Sequence, residues 1–269
     1  MNVDKQNFKQ PMEPWPGLEK YQKQVKLDDP DVNLFIYDTG EGPGQTILMV
    51  HGLGDEADTW RHVIEPLAEH FRVIAVDLPG FGRSEKIQRD YTPPFFMQTL
   101  IALMDALEIG HAILLGNSMG AALSQAMAIQ IPSRVKGLIL GDGALLQEER
   151  MGDWSLRMMQ VPLLGEWLYL RLRKDPDAAY DSLRNVYHDL DSLPEEDREF
   201  LYKRVNKRVW SDGQRVAYFS TLRNLSSWAR NLQEDLRVKL AALEIPTLVV
   251  RGEHDSLFPA ENAKAVANL

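Results

Sequence analysis

A serine flanked by glycines, Gly116-Asn117-Ser118-Met119-Gly120, joins an apolar run to a helix-forming one. Residues 112–115 read as a buried strand, and residues 119–131 as a helix with small residues in its first turn. The glycines let the chain reverse within a few residues, where a side chain at either flank would clash. A serine at the apex of such a reversal is pushed outward. The helix N-terminus behind it offers unpaired N–H groups to a developing negative charge. The pentapeptide alone arises often by chance; the strand before it and the helix after it give it weight.

The elements that must position this serine follow from the apolar pattern. Residues 21–27 and 33–38 are expected strands around a turn at Asp28-Asp29-Pro30-Asp31, and residues 40–44 a loop. Residues 46–50 form an apolar strand leading into His51-Gly52-Leu53-Gly54. A helix is expected over 59–71, and a strand over 73–76 that ends at Asp77-Leu78-Pro79-Gly80-Phe81-Gly82-Arg83-Ser84. Residues 92–109 carry Phe96, Leu100, Leu103, Met104 and Leu107 at helical spacing. Strands are expected again at 135–140 and 246–252, and a helix from Pro259. Strands that are continuous apolar runs alternating with helices imply a mostly parallel central sheet covered on both faces. From residue 144 to 243 strand-like runs vanish, which implies an all-α insertion. Within it Ser192-Leu193-Pro194-Glu195 reads as a capping box opening a helix toward Trp210. The expected organisation is a leader over 1–20, broken by Pro11, Pro14 and Pro16, an α/β core over 21–143 and 244–269, and a helical cap over 144–243.

Composition removes several classes of function. The chain has 269 residues, a formal net charge of −9 and no cysteine. An acidic chain without a dense Lys/Arg cluster argues against a nucleic-acid partner. The lack of cysteine excludes disulfides, thiolate metal sites and a thiol nucleophile. The first 17 residues lack the apolar core of a signal peptide, and no apolar run approaches the roughly 18 residues of a membrane span, so a cytoplasmic protein is expected. No His-Glu-x-x-His occurs, and no metal or other cofactor is expected. One rival comes from spacing: Gly52-Leu53-Gly54-Asp55-Glu56-Ala57 fits a dinucleotide fingerprint, with Asp77 where a ribose-binding acid would sit. Asp55 and Glu56 would then set two negative charges beside a pyrophosphate, against the anion preference of a helix N-terminus.

Four stretches in order at expected strand ends, His51-Gly52-Leu53-Gly54, Asp77 through Ser84, Gly116 through Gly120, and Gly252-Glu253-His254-Asp255, resemble the α/β-hydrolase superfamily, specifically members with a helical cap. The resemblance implies that Ser118 is the nucleophile and that the Leu53 and Met119 N–H groups form the oxyanion hole. It implies that Asp255 orients the catalytic histidine, with Asp142 in Leu140-Gly141-Asp142-Gly143 as the alternative acid. Trp60, Trp154 and Trp167 are candidates for lining the substrate pocket, or else for packing the cap.

The chain departs from that pattern at the base. The family histidine follows one further strand beyond the helix that starts at Pro259, and the chain stops at Leu269. His51, His62, His70, His111 and His188 lie on other elements; His254 is the one substitute, beside the acid. A C-terminally shortened chain of an active hydrolase is expected rather than a short form with little activity. The resemblance implies a cofactor-independent serine hydrolase of small esters acting through an acyl-enzyme. The alternatives are a carbon–carbon bond hydrolase of aromatic ring-cleavage type acting on a ketone, or a ligand-binding protein on the same fold.

Overall fold

The structure, a computed structural model, describes residues 8–42, 44–146, 158–232 and 235–269. Its centre is a seven-stranded sheet in the order β1-β2-β4-β3-β5-β6-β7: β1 Gln22–Asp28, β2 Asp31–Asp38, β3 Thr46–Val50, β4 Arg72–Val76, β5 Ala112–Asn117, β6 Val135–Gly141 and β7 Thr247–Val250. The β1/β2 hairpin is antiparallel and joins β4 antiparallel; every pair from β4 through β7 is parallel. The register sets Val50 beside Gly116, Asn117 beside Gly141, and Gly141 beside Val250. The carboxyl ends of β3, β5, β6 and β7 therefore meet along one edge, where open α/β sheets bind ligands.

Four buried residues in a row in β3 and β4 reflect cover on both faces. On one face α2 (Pro93–Ala106) and α3 (Met119–Gln130) pack Phe96, Leu100, Leu103 and Met127 against Leu48, Ile74 and Leu114. Thr92 starts α2 by accepting the Phe95 N–H, with Pro93 in the first turn, where a missing N–H costs nothing. The other face buries Tyr37, Met49, Ile64 and Ala75. Between β6 and β7 the described elements are helical: α4 Leu164–Arg171, α5 Pro176–Asp181, α6 Glu195–Trp210, α7 Asp212–Asn231 and α8 Leu236–Ala241. The last helix, α9, spans Ala260–Ala267.

Two local expectations need correction. The helix expected over 59–71 is a 3-10 turn (Ala57–Trp60) followed by the five-residue α1, Ile64–Ala68. Pro66 has no N–H to give to His62, so no regular helix runs through it from residue 59; α1 begins two residues earlier. Nor is Ser192 an N-cap: its hydroxyl donates to the Asp189 carbonyl, Pro194 holds the cap position of α6, and Glu195 is the first helical residue. Proline has no side-chain acceptor to offer the first-turn N–H groups, so α6 starts without a capping box.

Candidate active site

Ser118 sits between β5 and α3 with φ 51° and ψ −113°, a region that non-glycine residues seldom occupy. Its N–H donates to the Gly141 carbonyl at 2.8 Å, and its carbonyl accepts from Ala121 and Ala122, so the backbone is held from both sides. The side chain caps nothing and is exposed. Close packing explains the glycines. A methyl group on Gly116 would stand 2.3 Å from the Gly120 carbonyl, and one on Gly120 would stand 2.1 Å from the Val50 carbonyl oxygen. Gly143, which the sequence reading missed, is as tightly placed, 2.5 Å from Ser118 Cα by the same measure.

The turn after β3 packs on the serine from the neighbouring strand: a methyl on Gly52 would lie 3.4 Å from Ser118 Cβ. Leu53, Met119 and Ser118 line one cavity. As the first residue of α3, Met119 carries an N–H with no intrahelical acceptor. His51 braces this turn. Its Nε2 accepts the Leu78 N–H at 3.0 Å, which leaves the proton on Nδ1 to donate to the Gly52 carbonyl at 2.7 Å. Full burial pushes the His51 imidazole below its usual pKa, against the opposing pull of Asp55 and the Gly52 carbonyl.

Both candidate acids stand at neighbouring strand ends. Asp142, at φ 45°, accepts the Gly252 N–H at 2.8 Å and lines the cavity. Burial and the adjacent Asp255 carboxyl raise its pKa, partly offset by the Gly252 N–H. Asp255 accepts the Leu257 and Phe258 N–H groups at 2.7 and 3.1 Å through Oδ1, while its buried Oδ2 has no donor. None of the six histidines lines the cavity. His254 instead stacks on His188, ring centroids 3.8 Å apart.

The cavity holds about 420 Å³, within the size range of small-molecule sites. Its apolar wall comes from Tyr187, Phe200, Tyr218, Leu222, Leu225 and Phe258, not from the tryptophans expected there. Trp60 packs with the core on the opposite sheet face, Trp167 is 53% exposed away from the cavity, and Trp154 lies outside the described residues. Arg208 of α6 also reaches the cavity, where its Nε donates to Glu56 at 2.8 Å and its guanidinium to Asp55. Arg204 meets Glu56 at 3.2 Å. The sequence reading missed both arginines, because no local pattern links them to acids about 150 positions earlier. The acid of the dinucleotide fingerprint is engaged elsewhere: Asp77 is fully buried and accepts the Ala57 N–H at 2.7 Å and Arg83 Nε at 2.9 Å. Among the described residues, no group of three or more His, Asp or Glu could hold a metal, and no helix is long and apolar enough to cross a membrane.

A family model for the alpha/beta hydrolase fold matches residues 45–269. The chain belongs to the α/β-hydrolase fold family. Within it, an uncharacterized protein of Mycobacterium tuberculosis is 27% identical over 237 residues, 82% of this chain but 65% of that relative's length. The 2-hydroxy-6-oxo-6-phenylhexa-2,4-dienoate hydrolase of Comamonas testosteroni is 28% identical over 89% of this chain and 82% of its own. The solved structure of a thermophilic esterase from Thermogutta terrifontis superposes with a TM-score of 0.70 at 25% identity, covering 92% of this chain and 85% of that one. The α/β-hydrolase fold thus accounts for the sheet order and for the crevice at the strand ends.

Proposed function

We propose that this protein is a serine hydrolase of small esters. The observation that carries the proposal is Ser118, held at φ 51° with an exposed side chain that caps nothing, at the floor of the cavity that Leu53 and Met119 also line. In this reading the Ser118 hydroxyl attacks the ester carbonyl carbon, and the tetrahedral oxyanion is received by the Leu53 and Met119 N–H groups. The serine proton passes to a general base, the base returns it to the departing alcohol, and water releases the acid from the acyl-enzyme; Asp255 is the acid that orients the base in this reading. Each fixed oxyanion donor contributes about 3 kcal/mol in sites of this kind. The esterase from Thermogutta terrifontis supports the ester reading.

The test is a fluorophosphonate probe applied to the protein. Labelling that Ser118→Ala abolishes is the expected result. Labelling that survives Ser118→Ala, or none despite tight binding of small molecules, sinks the proposal, the latter in favour of a ligand-binding protein. The relative from Comamonas testosteroni favours a second reading, hydrolysis of a carbon–carbon bond beside a ketone. Turnover of a vinylogous diketone without turnover of p-nitrophenyl acetate would select it.

A further inference from the structure

A second cleft, of about 560 Å³, lies between the segment that begins at Phe8, the loop after β4 and the C-terminal end of α6; it shares no lining residue with the Ser118 cavity. Four cationic side chains line it, Lys9, Arg83, Lys86 and Lys207, and no carboxylate does among the described residues. In a chain of net charge −9 this is a local inversion of sign. Arg83 is neutralised by Asp77 and Asp58 at 2.9 and 2.6 Å. The three ammonium groups are bonded differently. Lys86 donates to the Ser84 carbonyl at 2.7 Å and to the Gly82 carbonyl, Lys207 donates to the Pro11 carbonyl at 2.7 Å, and Lys9 lies 5.1 Å from the Trp210 ring centroid.

The surroundings leave this charge under-compensated. Burial pushes Lys86 down to about 8 against the pull of Asp77 and Glu56, and lowers Lys207 against the pull of Glu13. Trp210 also lines the cleft, and its indole N–H is buried with no acceptor. Donors without acceptors in a partly desolvated cleft are costly until an acceptor arrives. Three cations together suit an oxyanion with more than one charge. A carboxylate carries one; a phosphate monoester carries about 1.5 to 2 near neutral pH. The volume exceeds what phosphate alone would fill and lies within the range of organic ligands.

We propose that this cleft binds a small molecule bearing a phosphate monoester, gripped by Lys86 and Lys207, with Lys9 closing on it from the Trp210 side. The site is independent of chemistry at Ser118, so Ser118→Ala leaves it intact. The test titrates glycerol 3-phosphate into the protein at low ionic strength, following heat and tryptophan fluorescence, with sodium chloride at matched ionic strength as the control. The expected result is one saturable site per chain that sodium chloride does not mimic. Lys207→Met weakens it about tenfold or more, the loss of one charge-assisted hydrogen bond. Lys86→Met does the same where it folds; Lys207→Met, on a more exposed side chain, carries the test where it does not. Sedimentation with phosphatidic acid vesicles, against phosphatidylcholine vesicles, separates a lipid-borne phosphate from a free one. Vesicle binding that Lys207→Met weakens assigns a lipid headgroup, and glycerol 3-phosphate binding alone assigns a free metabolite. A response equalled by sodium chloride, affinity unchanged by Lys207→Met, or binding to neither glycerol 3-phosphate nor vesicles overturns the proposal.

Discussion

Asp142 turns out of β6 at positive φ, takes the Gly252 N–H at 2.8 Å, and so brings its carboxyl against that of Asp255 at the end of β7. Two acids on adjacent strand ends repel when both are ionised, and burial adds to the cost.

Asp142→Asn tests that pairing. An amide keeps an acceptor for Gly252 and gains a donor for Asp255. A carboxyl with a raised folded pKa contributes stability that is present below the unfolded value and lost as pH rises through the folded one, so the substitution removes that loss at neutral pH. Asp142 is half exposed, and solvent screening keeps the gain under about 1 kcal/mol. Urea unfolding at pH 7 should show a higher midpoint, with the difference vanishing at pH 3.

Ser118 bears the second prediction. Glycine at this position relieves the positive φ, whereas alanine does not. Ser118→Gly is expected to stabilise the fold by about 1 kcal/mol, the low end for such strain, or roughly 2–4 °C in Tm. Ser118→Ala leaves Tm nearly unchanged. Both lose fluorophosphonate labelling, so calorimetry separates conformation from chemistry.

Gly116→Ala places a methyl 2.3 Å from the Gly120 carbonyl, inside any permissible contact. The helix must slide away from the strand. Overpacking of this kind costs about 1–3 kcal/mol, and the slide moves the Met119 N–H from the serine. Labelling should fall much further than the loss of stability accounts for when both are measured at a temperature where the variant stays folded.

Arg208→Met leaves Glu56 buried with Arg204 as its remaining guanidinium. Removing one partner of a buried pair costs about 3–5 kcal/mol; the second arginine puts the expected value at the lower end. A loss below about 1 kcal/mol in chemical unfolding would mean that solvent already screens Glu56.

His51 sets a pH dependence. Its folded pKa is depressed by burial, so its contribution is complete above the ordinary value of about 6.5 and is lost as pH falls through the folded value. Unfolding free energy should drop by up to about 1.4 kcal/mol per pH unit below pH 6.5. The slope should be shallower in His51→Gln.

Sequence patterns reveal what depends on neighbours in the chain. The apolar runs of β3, β4, β5 and β6 and the stripe of α2 are local, and the reversal at Ser118 declares itself through glycines two residues away on either side. Pro66 was also local, and its break in the expected helix could have been read. The cavity wall could not. Phe200 and Tyr218, on helices, and Tyr187, in a loop, come from far along the chain to line the cavity with Ser118, and which of the six tryptophans face inward depends on helix rotation that spacing does not supply. The bond between Arg208 and Glu56 spans 152 positions, and nothing in either neighbourhood names the other.

A protein of this architecture invites trimming, with the helices between β6 and β7 replaced by a short linker to leave a minimal scaffold. Here that surgery would take Arg204 and Arg208 from Glu56 and Arg208 from Asp55, and leave Asp58 with Arg83. The inserted helices supply counter-ions for the turn that follows β3, and any transplant onto another scaffold must take the acids along.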